Sequence, residues 1–162
     1  MAVPPDGADV GVVDDGPLLP LRDDLAGLDA SGFAFPGPLR DELTALALAG
    51  TKTTTAGLFA EVEADGETLP VPGVREVLLD SDERPIAVIE IVSCRVVRLA
   101  DVDDQHAIDE GEGYADADAF RVSHERFWNG YIDDLRRRIV PDFTIDDDTL
   151  VVIQRFKVVE RL

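Results

Sequence analysis

The spacing of apolar residues along this chain changes several times, and each change marks an element. Between residues 38 and 49, Leu39, Leu43, Leu46 and Ala47 recur at helical intervals, which puts them on one face of a helix. Pro38 suits the first turn, Asp41 and Glu42 suit its positive end, and Gly50 supplies a stop. The Thr-rich run 53–59 follows as a strand or extended segment. After a turn at 69–73, the runs 75–79 and 86–99 read as two strands of a hairpin joined by the polar segment 80–85. The second is long for one regular strand and is expected to bend or bulge midway. Residues 103–109 read as a short helix and 110–113 as a turn broken by glycine. Phe120, Phe127 and Tyr131 carry a helical period through 116–138, the longest such stretch, and the β-branched run 150–160 reads as a central strand.

Strands and helices alternate here without a regular βαβ repeat. That order predicts an α+β fold with a β-barrel and flanking helices rather than a doubly wound sheet. Residues 1–31 are rich in Asp, Gly and Pro and are expected to form a flexible acidic N-terminal arm, either disordered throughout or with its later part packed on the domain. The domain proper is expected over 32–162.

Composition narrows the partners. The apolar fraction of 45% is enough for a core. No apolar run reaches the ~18 residues a membrane helix needs, and Met1–Asp6 lacks the pattern of a signal peptide, so no membrane partner and a cytoplasmic location are expected. A single cysteine, Cys94, rules out an internal disulfide framework, and its apolar strand suggests inert core. Two histidines and one cysteine without ligand spacing give no reason to expect a metal, and no cofactor is expected. A net charge of −19 opposes binding of long nucleic acid, whose affinity comes largely from Lys and Arg. Any such partner must be a small nucleoside, or a short RNA met in a local pocket. Among the 15 basic residues only Lys52 and Lys157 are lysine. A retained Lys in an Arg-rich chain hints at a position where Arg does not serve.

Three segments then resemble the ASCH-domain family, a branch of the PUA-like superfamily. Gly50-Thr51-Lys52-Thr53-Thr54-Thr55 is similar to a G-x-K-x-x-T/S signature. Asp109-Glu110-Gly111-Glu112-Gly113 is similar to an acidic turn. Phe120-Arg121-Val122-Ser123-His124-Glu125-Arg126-Phe127-Trp128 resembles W-R-x-x-H-x-x-F-[FW], with Phe120 in place of the Trp. The resemblance runs from about Phe33 to Leu162. It implies a PUA-like/ASCH barrel. It also implies activities known in the family: hydrolysis of the amide of N4-acetylcytidine, ribonuclease action, or nonenzymatic binding of RNA or a modified nucleotide. Carried over by motif, the catalytic residues are Lys52, Thr55 and Glu110, with Glu112 the rival for the acidic role.

Amide hydrolysis needs a nucleophile, a base and an acid. Thr55 activated by a Lys52 that burial holds partly neutral is one route. Water activated by Glu110, with cationic Lys52 on the oxyanion, is another. Arg121 and His124 share a helix face and, with Glu112, are candidates for binding substrate; His124 is equally a packed or capping residue. Trp128 can stack on a base or serve as core, and His106 is expected at the pocket rim or on the surface. Each residue also has an ordinary explanation. A lysine after a helix sits well at its negative end, threonines favour strands, and a turn glutamate is usually solvated.

Overall fold

The computed structural model describes residues 23–162; of the expected arm 1–31, residues 1–22 lie outside the described residues. Five strands, β1 (Asp29–Ser31), β2 (Thr54–Leu58), β3 (Arg75–Leu79), β4 (Pro85–Arg98) and β5 (Leu150–Arg161), make one mixed sheet in the order β1-β3-β4-β5-β2. The helices among the described residues are α1 (Pro38–Leu48), α2 (Phe59–Ala64), α3 (Asp104–Asp109), α4 (Ala117–Asn129) and α5 (Ile132–Arg138), with 3-10 turns at Asp23–Leu25 and Leu99–Asp101. The class is α+β.

The sheet is not closed into the expected barrel. β1 and β2 are its two edges, and they contribute only three and five residues. Closure requires the two edge strands to pair with a consistent stagger; among the described residues β1 pairs in parallel with β3 alone and β2 with β5 alone. The β4–β5 ladder runs from Ala87↔Arg161 to Arg98↔Leu150, with register shifts between Val88 and Ile89 and between Ile91 and Ser93. These are the midway irregularities expected of so long a strand.

Two larger cores lie against opposite faces of β5. Phe156 joins Phe33, Leu43, Ala47, Leu78 and Ile91 under α1. Val151 and Ile153, of opposite parity, join Leu58, Phe120, Trp128 and Leu135 under α4 and α5. Phe120 and Leu135 are fully buried, and burial of a side chain of that size is worth about 1.5–3 kcal/mol.

Two elements differ from the sequence pattern. Residues 116–138 form two helices because α4 ends at the C-cap Gly130, and Asn129-Gly130 is a poor helix interior. The strand expected through residue 59 stops at Leu58, and Phe59–Ala64 is helical with no buried residue, so no apolar face announced it. Among the described residues no helix is long and apolar enough to cross a membrane.

Candidate functional site

Two turns, one after α1 and one after α3, are stacked backbone to backbone. Gly50 takes φ 77°, and the amides of Gly50 and Thr51 donate to Ala47 O and Leu46 O, each at 3.0 Å. This left-handed cap ends α1 and turns Lys52 inward. The turn after α3 depends on Gly111, at φ 71°. A Cβ there would lie 2.4 Å from Thr51 O and 2.7 Å from Lys52 N, so only glycine lets the two turns meet. Thr53 N donates to Asp109 O at 2.9 Å, which ties them together. On α3, the N-cap Asp103 side chain accepts from His106 N at 2.8 Å, and Thr54 Oγ1 donates to His106 O at 3.0 Å.

This framework encloses an ion cluster. Lys52 Nζ donates to Thr54 O at 2.8 Å, Glu110 Oε2 at 2.7 Å and Glu112 Oε2 at 3.2 Å. An ammonium has three donors, and these partners take them all. The second oxygen of Glu110, Oε1, lies 3.0 Å from His106 Nε2; a carboxylate only accepts, so Nε2 carries the proton in this bond. The Lys52 and Glu110 side chains are each 1% exposed and that of Glu112 is 17% exposed.

The two carboxyls are driven apart. Burial pushes Glu110 up, but the hydrogen bond from His106 and the charge of Lys52 outweigh it and hold Glu110 well below the usual carboxylate range. Burial pushes Glu112 up to about 7, with Lys52 opposing and the ionised Glu110 reinforcing the rise.

Lys52, Thr55, Glu110 and Glu112 line one cavity of about 270 Å³, walled by Phe33, Tyr114, His124, Phe127 and Trp128. His124 Nδ1 donates to Phe120 O at 2.9 Å, and the ring stacks on Phe120 at 3.9 Å. Burial holds its pKa below the ordinary value, so the neutral ring is favoured near pH 7. Tyr114 Oη donates to Ser123 Oγ at 2.9 Å and lies 3.4 Å from Glu112 Oε1.

The structure therefore gathers Lys52, Thr55, Glu110, Glu112 and His124, and leaves Arg121 out. The Arg121 guanidinium pairs with Glu125 at 2.7 Å and Asp147 at 2.5 Å, and Arg126 is the α4 arginine that lines the cavity. His106 is not at the rim, as the sequence suggested: it is 7% exposed and holds Glu110 from behind. Its spacing of four residues from Glu110 on one helix was the signal that was available.

A family model described as the ASCH domain matches residues 32–160. No curated protein matches the chain. Among solved structures, the chain is similar to an ASCH domain from Lactobacillus crispatus JV V101, at 26% identity and TM-score 0.70 over 82% of this chain and 80% of that one. It is also similar to a protein from Enterococcus faecalis V583, at 24% identity and TM-score 0.70 over 82% of this chain and 77% of that one; that likeness speaks for the fold alone.

Proposed function

The chain belongs to the ASCH-domain family, and on that premise we propose that it is a hydrolase cleaving the amide of an acetylated, cytidine-like nucleoside. The observation that carries the reading is the convergence of Lys52, Thr55 and Glu110 on one aromatic-walled cavity. Its volume of about 270 Å³ is close to the ~300 Å³ lower end of ligand pockets, which suits one base with its acyl group rather than a strand of RNA. The net charge of −19 argues the same way.

In this reading Lys52 is a fixed cation. Its shorter bonds to Thr54 O and Glu110 hold Nζ in place, and the longer one to Glu112 at 3.2 Å is the one that yields to an oxyanion. A preorganised donor at that point stabilises the tetrahedral intermediate. Thr55 lines the same cavity, and in this reading its hydroxyl orients the acyl group.

The test is incubation with N4-acetylcytidine followed by chromatography for cytidine and acetate. Product is expected from the wild type, with a loss of about 10²-fold or more in Lys52→Ala. Absence of product at high enzyme concentration overturns the reading. One observation favours a second reading, a binding module without turnover: all three Lys52 donors already have protein acceptors. Saturable binding of nucleosides without product would select it.

A further inference from the structure

We propose that Glu112 is the catalytic acid–base residue of this pocket, and that Glu110, which the family resemblance would put in that role, is a positioning residue locked by His106. This rests on the hydrolase reading above and assigns its proton transfer.

The argument is one of occupancy. Both Glu110 oxygens are committed, Oε2 to Lys52 at 2.7 Å and Oε1 to His106 at 3.0 Å, and the side chain is 1% exposed. It can reach a substrate only by breaking a buried ion pair. Glu112 has one oxygen on Lys52 at 3.2 Å, its other oxygen faces the Tyr114 hydroxyl at the loose distance of 3.4 Å, and its carboxyl also hydrogen-bonds the Glu110 carboxylate, which favours its protonated form. At 17% exposure it opens on the cavity. Two carboxyls whose surroundings push their titrations apart are how one site holds an anion and an acid together at neutral pH.

The groups facing Glu112 are Lys52 from the turn after α1, Glu110 at the end of α3, Tyr114 on its own loop, and His124 and Arg126 on the cavity wall of α4. Burial and Glu110 raise its titration and Lys52 opposes the rise, leaving it at about 7. Glu112 can thus take up and release a proton near neutral pH, whereas Glu110 stays ionised.

The step balances as follows. Ionised Glu112 takes a proton from a water molecule while that water's oxygen bonds to the acyl carbon, and the carbonyl oxygen becomes an oxyanion beside Lys52. Collapse of the intermediate breaks the C–N bond, and Glu112 returns the proton to the leaving nitrogen. The products are the amine and a carboxylic acid, which loses its proton to solvent, so Glu112 ends ionised.

The test compares pH profiles of kcat/KM on N4-acetylcytidine for the wild type, Glu112→Gln, Glu112→Ala and Glu110→Gln. Because Glu112 must be ionised to act, the wild-type rate should fall tenfold per pH unit below about 7. Glu112→Gln keeps an acceptor for Lys52, and should lose about 10²-fold or more together with that limb. Added formate should restore part of the activity of Glu112→Ala, a readout that a purely structural role would not move. Glu110→Gln should be slower and keep the limb, moved to lower pH because the Glu110 charge that helps raise Glu112 is gone. A limb that survives in Glu112→Gln, a limb that vanishes in Glu110→Gln, or an absence of formate rescue overturns the assignment while leaving the hydrolase reading intact. A wild type that gives no product overturns both.

Discussion

Two clusters in this protein are built from the same parts, one cation held among carboxylates, and behave differently because of water. Around Lys52 the carboxylates are Glu110 and Glu112, with Lys52 and Glu110 almost fully buried. Around Arg138 they are Glu61 at 2.7 Å, Asp134 at 2.8 Å and Asp65 at 3.6 Å, joining α5 to α2, with the arginine 34% exposed. At the second cluster, solvent screens each charge and the bonds mainly fix a surface contact. At the first, each charge relies on its protein partners. The geometry that satisfies Lys52 therefore also sets which carboxyl is ionised and which titrates near neutrality. The surface cluster can lose a member and be resolvated; the Lys52–Glu110 pair, each side chain 1% exposed, has no solvent to replace a lost partner.

Removing the buried cation should give the largest effect. Lys52→Met leaves the buried Glu110 carboxylate without its cation, and breaking such a pair from one side costs about 3–5 kcal/mol, measurable as a drop in urea midpoint. Gly111→Ala comes next. A non-glycine residue held at that φ costs about 1–3 kcal/mol, and the contact with Thr51 O adds to it by pushing the two turns apart. A crystal structure of the variant should show Glu110 withdrawn from Lys52, and a variant with the wild-type urea midpoint would refute the close approach. Glu110→Gln keeps the shape and removes the charge-assisted bonds, for a loss of about 1.5–3 kcal/mol by thermal or chemical denaturation.

The pH dependence of stability separates the two carboxyls in sign. Glu110 is depressed, so its contribution is present above the ordinary Glu value of 4.5 and is lost as pH falls below it; Glu110→Gln should flatten the acid limb of stability. Glu112 is raised, so its contribution is present below 4.5 and is lost as pH rises through about 7; Glu112→Gln should remove that decline. Urea midpoints from pH 3 to 8 measure both. The smallest effect is expected at the surface. Arg138→Ala should cost less than about 1 kcal/mol and less still at high salt. A cost comparable to that of Lys52→Met would abolish the contrast between the two clusters.

Composition singled out two lysines, and only one is buried. Lys157 lies on β5 with its side chain 60% exposed and paired with Glu90 at 3.3 Å, where arginine would serve as well. Residue scarcity was therefore a weak signal, and the spacing around Lys52 a stronger one. The same limit explains Arg121. Its helix-face relation to His124 was legible, but the ion pairs that draw it away include Asp147, 26 positions along the chain. The barrel expectation failed for a related reason: strand patterns specify faces, while closure depends on whether two distant edges are long enough to meet.

By itself, the sequence determined what rests on neighbouring residues. This includes α1 with its glycine stop, the β3–β4 hairpin and its irregular long strand, the final central strand, and the order of motifs that marks an ASCH domain. Tertiary structure alone decided the open sheet, the seat of His106 behind Glu110, and the division of Glu110 and Glu112 into an anchored anion and a titrating acid. The physical reason is that periodicity and capping act over a few residues, whereas the Lys52–Glu110 bond joins positions 58 apart. A carboxyl's ionisation depends on what excludes water from it, and here that is the packing of one turn against another.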